Sequence, residues 1–127
     1  MVEKLGVITI KNESDIQKLT GDPDYPDRVV VIYFTASWCP PCKKFFPTFS
    51  KYVSSLSGNL VGKINFCSLD VDVLKDFCLA NKINSVPTML FLKGTAILET
   101  IKGTDLEKLK KTVDNIVGSS AENKLGK

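Results

Sequence analysis

The sequence predicts an α/β fold with a central mixed β-sheet of about five strands flanked by about four helices, in the order βαβαβαββα. Runs of strand-forming residues alternate with segments whose apolar residues recur at helical spacing. VVVIYF, residues 29 to 34, is apolar on both faces, as a central strand covered on both sides requires. TMLFL and AILETI follow each other across the short turn Lys93-Gly94, so these two strands must pair antiparallel.

The first half of the chain supplies two strands and two helices. VITI, residues 7 to 10, predicts the first strand. Ser14 and Gln17 have the spacing of a capping box, which predicts Ser14 as the N-cap of the first helix. A turn-rich loop precedes the central strand, and a helical apolar pattern runs on from Phe45. Pro47 lies inside this second helix, where it removes one backbone hydrogen bond.

The second half completes the pattern. Residues 63 to 72 predict a strand, and Asp72 is the expected cap of the short helix after it. The antiparallel hairpin follows, and then Thr104 and Glu107 form a capping box for a final amphipathic helix. We expect one domain over residues 1 to 117 and a polar, flexible C-terminal tail over residues 118 to 127.

Composition narrows the function classes. The chain has 127 residues and a formal net charge of +3, too small to indicate nucleic-acid binding. No apolar stretch approaches the roughly 20 residues of a membrane span. The N-terminus has an acid at position 3 and no small-residue cleavage site, so we expect no signal peptide and a cytoplasmic protein. We expect a monomer.

The segment TASWCPPCKKFFP, residues 35 to 47, places Cys39 and Cys42 between the central strand and the second helix. Such a pair could bind metal, form a structural disulfide or act in redox chemistry. A disulfide across so few residues closes too small a loop to stabilise the fold much. Zinc needs four ligands, and in a chain without histidine only Cys67 and Cys78 could complete them, at a spacing unlike a zinc ribbon.

Two alternatives stay open for these cysteines. An iron–sulfur cluster shared by Cys39 and Cys42 of two chains is one of them. Cys67 and Cys78 lie on a predicted strand and on the apolar face of a predicted helix, where free cysteine behaves as a small hydrophobe. The second alternative is a regulatory role for the thiol of Cys67 or of Cys78.

The WC-x-x-C motif, followed about 45 residues later by Val-Pro-Thr before a hairpin, resembles the thioredoxin family over roughly residues 5 to 117. The WCPPC form is also similar to tryparedoxin and nucleoredoxin-type proteins. The resemblance implies a thioredoxin fold, a protein-disulfide oxidoreductase, a cis bond before Pro87 and no cofactor beyond the Cys39–Cys42 disulfide. The matching residues are Phe34, Ala36, Trp38, Cys39, Pro41, Cys42, Lys43, Pro47, Asp70, Val71, Asp72, Pro87, Thr88, Gly94 and Gly103.

The position of the motif at a helix start assigns a role to each cysteine. A helix N-terminus offers unpaired N–H groups and partial positive charge, so we expect Cys39 to be the attacking thiolate. Cys42, one turn on, is expected to resolve the mixed disulfide. Pro40 and Pro41 carry no N–H, which makes the Cys42 N–H the main donor near Cys39. We therefore expect Cys39 to ionise less readily than with glycine at position 40.

The chain departs from the family pattern at one buried pair. A family aspartate six residues before the first cysteine is replaced by Tyr33, and its accompanying lysine is replaced by Ser68. Losing both avoids an unpaired buried charge. It also leaves water or the Tyr33 phenol as the expected base for Cys42.

The resemblance further implies how substrates bind. Val86, freed by the cis bond, would pair with an extended substrate strand. Trp38, Val86, Pro87 and the loop at Lys102-Gly103 would form an apolar docking rim, while Lys43 and Lys44 would add positive potential beside Cys39. The expected partners are protein disulfides and a thioredoxin-reductase-like or low-molecular-weight thiol donor. A tryparedoxin-like or disulfide-isomerase-like enzyme, and a non-catalytic binding adaptor on the same scaffold, are the alternatives.

Overall fold

The computed structural model describes residues 4 to 121, and the side chains of residues 4 to 118. It confirms the predicted order of strands and helices. The strands are β1 (Val7–Thr9), β2 (Val29–Thr35), β3 (Ile64–Asp70), β4 (Thr88–Lys93) and β5 (Ala96–Lys102). The helices are α1 (Glu13–Thr20), α2 (Pro40–Ser54), α3 (Lys75–Ala80) and α4 (Leu106–Ala121), and a short 3-10 helix that the sequence did not predict spans Gly58–Gly62.

The five strands form one mixed sheet in the order β1-β3-β2-β4-β5. β3 is parallel to both β1 and β2, whereas β4 is antiparallel to β2 and to β5. β2 is the central strand, with all of its residues buried except Thr35, which is half-buried. The end of β2 is therefore held from both sides where it leads into α2.

The alternation of side chains along β2 divides the core into two layers. Val29, Val31 and Tyr33 face one layer, where α2 and α4 pack through residues such as Phe49 and Leu109. Val30, Ile32 and Phe34 face the other layer, where α1 and α3 contribute Ile16 and Cys78. An apolar run without polar alternation is required because both faces of β2 are covered.

Two of the predicted helix caps are wrong by one or two residues. Asn12, not Ser14, caps α1, because its side chain accepts the N–H of Asp15 at 3.0 Å. Asp105, not Thr104, caps α4 by accepting the N–H of Lys108 at 3.0 Å. Each true cap also has the residue type that caps prefer, and spacing alone could not separate neighbouring candidates.

The predicted cap of α3 is also wrong. This helix begins at Lys75 after Leu74, and no side chain caps it. Asp72 instead accepts a hydrogen bond from the Trp38 indole at 3.0 Å. Asp72, the expected cap of α3, thus binds the segment that carries Cys39 and Cys42.

The predicted tail, residues 118 to 127, overlaps the last turn of α4, and its residues 122 to 127 lie outside the described residues. Within residues 4 to 121, no helix combines the length and the apolar character needed to cross a bilayer.

Candidate active site

Cys39 is the N-cap of α2, at the point where the chain leaves the central strand. Its backbone is extended, with φ −108° and ψ 102°, and its sulfur accepts the N–H of Cys42 at 3.2 Å. Pro40 and Pro41 occupy the first two helical positions, where a missing N–H costs little. The sequence-based expectation that Cys42 supplies the nearby backbone donor is confirmed.

Cys39 and Cys42 form a disulfide, with their Cα atoms 5.3 Å apart. Their surroundings differ. The side chain of Cys42 is completely buried against the core, whereas Cys39 lines an open groove and its Sγ lies 3.8 Å from the Val86 carbonyl oxygen. A substrate sulfur entering from solvent therefore meets Cys39 first.

The groove beside Cys39, which we call the Trp38–Val86 groove, has a volume of about 570 Å³. Trp38 forms one wall and is 64% exposed, although its indole N–H is fixed by Asp72. The full lining is Trp38, Cys39, Pro40, Pro41, Val71, Ile83, Asn84, Ser85 and Val86. Most of these side chains are apolar, which suits a protein segment better than a small charged molecule.

The other predicted rim residues, Pro87, Lys102 and Gly103, do not line this groove. The Val86-Pro87 bond is cis, as the resemblance implied. Gly103 donates its N–H to the Pro87 carbonyl at 2.9 Å and has φ +93°, a conformation that favours glycine. Gly103 thus braces the cis-proline turn without lining the groove. Lys43 is exposed on the first turn of α2.

Sequence reasoning missed Val71 and the segment of residues 83 to 85 as groove residues. They lie in loops and carry no catalytic side chain. The signal that could have found Ile83, Asn84 and Ser85 is their position directly before Val86-Pro87. A loop that leads into a cis-proline turn beside the cysteines must form part of the same surface.

Tyr33 lies behind the disulfide and corrects the expectation that its phenol could act as a base. Its hydroxyl donates to the backbone carbonyl of Cys42 at 2.9 Å. Burial raises the pKa of Tyr33 to about 12, so the phenol keeps its proton at neutral pH. Ser68 is its direct neighbour on β3, which confirms that the two departures from the family pattern adjoin each other.

Cys67 and Cys78 are free thiols in the core. Burial raises the pKa of Cys67 to about 12. Burial, with Asp70 and Asp72 as the next causes, also raises the pKa of Cys78. Neither thiol is poised as a nucleophile at neutral pH. Residues 4 to 118 contain no group of three or more His, Cys, Asp or Glu side chains placed to hold a metal ion.

The thioredoxin family model matches residues 9–115 of the chain. The chain belongs to the thioredoxin family. A thioredoxin H-type of Oryza sativa subsp. indica is 31% identical over 115 residues, covering 91% of this chain and 90% of that protein. A thioredoxin of Malassezia sympodialis is 34% identical over 107 residues, covering 84% of this chain and 95% of that protein.

Solved structures agree with this assignment to the thioredoxin family. The crystal structure of the Malassezia sympodialis thioredoxin superimposes with a TM-score of 0.76 at 29% identity, covering 91% of this chain and 95% of that one. Thioredoxin F from spinach chloroplast, at 21% identity and a TM-score of 0.74, shares the fold. Family membership and the Cys39–Cys42 disulfide together identify the chain as a thiol–disulfide oxidoreductase.

Proposed function

We propose that this oxidoreductase reduces protein disulfides, with Cys39 as the attacking thiolate and Cys42 as the resolving thiol. The observation that carries the proposal is the asymmetry of the pair. Cys39 lines the Trp38–Val86 groove and accepts a backbone N–H, while Cys42 is completely buried behind it. A hydrogen bond to sulfur favours the thiolate, and only a thiolate attacks a disulfide efficiently.

The reaction proceeds in two exchanges. The Cys39 thiolate attacks one sulfur of the substrate disulfide, a mixed disulfide forms, and the first substrate sulfur leaves as a thiolate that takes a proton from water. The Cys42 thiolate then attacks Cys39 Sγ, which forms the Cys39–Cys42 disulfide and releases the second substrate thiol. Two electrons pass from the protein to the substrate. An external thiol donor, either a reductase or a small thiol, restores the dithiol.

The groove supports a polypeptide as substrate. The Val86 carbonyl lies beside Cys39 Sγ and can accept a backbone N–H from an extended segment, as in β-augmentation. Trp38 and Ile83 line the same groove and offer apolar surface to that segment. We extend the proposal to a monomer in a reducing compartment such as the cytoplasm, which fits two core cysteines that remain unpaired.

Reduction of the interchain disulfides of insulin, with dithiothreitol as the electron source, tests the proposal. The wild type should accelerate the reaction, and Cys39→Ser should remove the acceleration. Cys42→Ser should accumulate a mixed disulfide with insulin on gels run without reductant. Cys78→Ala is the matched control because it removes a thiol that does not line the groove, and it should retain the wild-type rate. A non-catalytic adaptor would bind partners equally well without Cys39 and would not accelerate insulin reduction.

A redox titration tests the direction of electron flow. Trp38 is the only tryptophan in the chain and adjoins Cys39, so its fluorescence should report the state of the pair. A disulfide that yields only to strongly reducing dithiothreitol mixtures identifies a reductase. A disulfide that glutathione buffers reduce readily contradicts the proposal and indicates an oxidase or isomerase.

A further inference from the structure

The hydroxyl of Tyr33 connects the backbone of Cys42 to the central strand. It donates to the Cys42 carbonyl at 2.9 Å, and both groups are buried. Tyr33 itself is completely buried, and its ring stacks on Phe49 with centroids 4.7 Å apart. The hydroxyl is thus carried by a strand that pairs with another strand on each side.

This support acts on a helix turn that has few backbone donors. Pro40 and Pro41 supply no N–H at the start of α2. Pro47 supplies none four residues after Lys43, so the Lys43 carbonyl lacks its helical hydrogen bond. Cys42 lies directly before Lys43, whose carbonyl lacks that bond. The hydrogen bond from Tyr33 therefore supports this turn from outside the helix, next to a missing helical bond.

The support matters most after the disulfide has opened. In the oxidised protein the Cys39–Cys42 bond itself holds Cys42 in place. In the mixed disulfide that bond is absent, and the Cys42 sulfur must stay aligned with Cys39 Sγ for attack. The bond from Tyr33 reaches the Cys42 backbone, not its sulfur, so opening the disulfide removes neither its donor nor its acceptor. Holding reacting atoms in line is a large source of rate in intramolecular reactions.

The core of the protein offers no buried carboxylate that could act as a base for Cys42 within residues 4 to 118. The phenol of Tyr33 donates to a carbonyl, and burial keeps it protonated at neutral pH. Among residues 4 to 118, no aspartate or glutamate is buried; the buried polar side chains there are Arg28, Asn65 and Thr88. Asn65 and Thr88 donate to backbone carbonyls at Ile64 and Ser85, and neither is a base.

We propose that Tyr33 is a positioning residue for the resolving step, holding Cys42 against Cys39 through its carbonyl, and that Cys42 loses its proton to water and not to a protein carboxylate. The Cys42 thiolate attacks Cys39 Sγ, the new Cys39–Cys42 bond forms as the bond to the substrate sulfur breaks, and the substrate leaves as a thiolate. The proposal rests on the proposed function only for the assignment of Cys42 as the resolving thiol.

Single-turnover reaction of the reduced protein with the aromatic disulfide 5,5′-dithiobis(2-nitrobenzoate) tests this directly. Attack by Cys39 releases one coloured thiolate, and resolution by Cys42 releases a second, so the two steps appear as two phases. Tyr33→Phe removes the hydroxyl and keeps the ring that packs against Phe49. Tyr52→Phe, which alters a half-buried tyrosine at the other end of α2, is the matched control. Both phases are followed from pH 6 to pH 9.

We expect Tyr33→Phe to keep the rate of the first phase within about twofold and to slow the second phase about tenfold. The pH profile of the second phase should have one ionisation in the wild type and the same shape in Tyr33→Phe. Tyr52→Phe should match the wild type in both phases. A thermal unfolding scan of each variant accompanies the kinetics, so that a loss of stability is not mistaken for a change in resolution.

Three results would overturn the proposal. The second phase could be unchanged in Tyr33→Phe, both phases could slow equally, or the pH profile could change shape, which would make the phenol an acid–base group. These outcomes do not depend on protein substrates. If insulin is not reduced while the two phases behave as expected, the proposed function fails and the role of Tyr33 stands.

Discussion

The two pairs of cysteines in this chain have similar exposure and different surroundings. Cys39, Cys42, Cys67 and Cys78 are each at most 5% exposed. The sulfur of Cys39 accepts a backbone N–H at a helix start, whereas the thiol of Cys67 donates to the Val31 carbonyl at 3.6 Å. An N–H donor stabilises a thiolate, and a carbonyl acceptor stabilises a thiol. Cys39 and Cys67 thus differ in the direction of the nearest hydrogen bond and in access to the groove, which Cys39 lines and Cys67 does not, although their exposed fractions are similar.

The sharpest test of this contrast is alkylation of the reduced protein with iodoacetamide at pH 7. The pKa of Cys67 is raised to about 12, so only about one thiol in 10⁵ is ionised at that pH. We expect Cys39 to react at least about 10³-fold faster than Cys67, measured by pulse labelling and peptide mass spectrometry. Unfolding in urea should bring the rates together. Comparable rates in the folded protein would mean that the core thiols are reactive.

Aspartate introduced at position 39 and aspartate introduced at position 67 should have opposite effects on the free energy of unfolding, each relative to alanine at the same position. Aspartate is a good N-cap, so Cys39→Asp should be more stable to urea than Cys39→Ala by about 1 kcal/mol. At position 67 the carboxyl would be buried among apolar side chains, so Cys67→Asp should lower the unfolding free energy by about 4 kcal/mol or more. Cys67→Ala measures the lost packing alone. Equal stabilities for the two variants at position 67 would contradict the contrast.

The pH dependence of stability offers a smaller effect with a defined sign. The pKa of Cys67 rises from 9.0 to about 12 on folding, so the unfolded chain ionises first as the pH increases. The stabilisation is complete below pH 8 and is lost as the pH rises from 9 toward 12, by about 1 kcal/mol between pH 9 and pH 10. The free energy of unfolding, measured in urea, should therefore fall less steeply with pH for Cys67→Ala than for the wild type. If the free energy of unfolding fell equally with pH in the wild type and in Cys67→Ala, the raised pKa of Cys67 would be contradicted.

The smallest expected effect is on the alkylation rate of Cys39 and comes from the number of backbone N–H donors near its sulfur. Pro40→Gly adds an N–H to the first turn of α2, which should stabilise the thiolate and speed alkylation of Cys39 at pH 7 about threefold. Pro26→Gly, in the loop before β2, is the control for loss of a proline and should leave that rate unchanged. A slower or unchanged rate in Pro40→Gly would show that backbone donors do not limit the reactivity of Cys39.

Features that depend on neighbouring residues were predictable from the sequence. The double-sided apolar run of residues 29 to 34 predicts the central strand because only a covered strand tolerates it. The positions of Cys39 and of Pro40 and Pro41 follow from the chemistry of a helix start. Spacing was a weaker guide to the caps, since Asn12 and Asp105 compete with equally suitable neighbours.

The sequence by itself determined the order of strands and helices, the dithiol motif and its position after a buried strand. Only the tertiary structure decided that Tyr33 hydrogen-bonds the Cys42 carbonyl, that Asp72 fixes Trp38, and that the Val86 carbonyl faces Cys39. These contacts join residues 9, 34 and 47 positions apart. Local patterns follow from the conformational preferences of a few adjacent residues, whereas such contacts exist only after the packed sheet has brought distant side chains together.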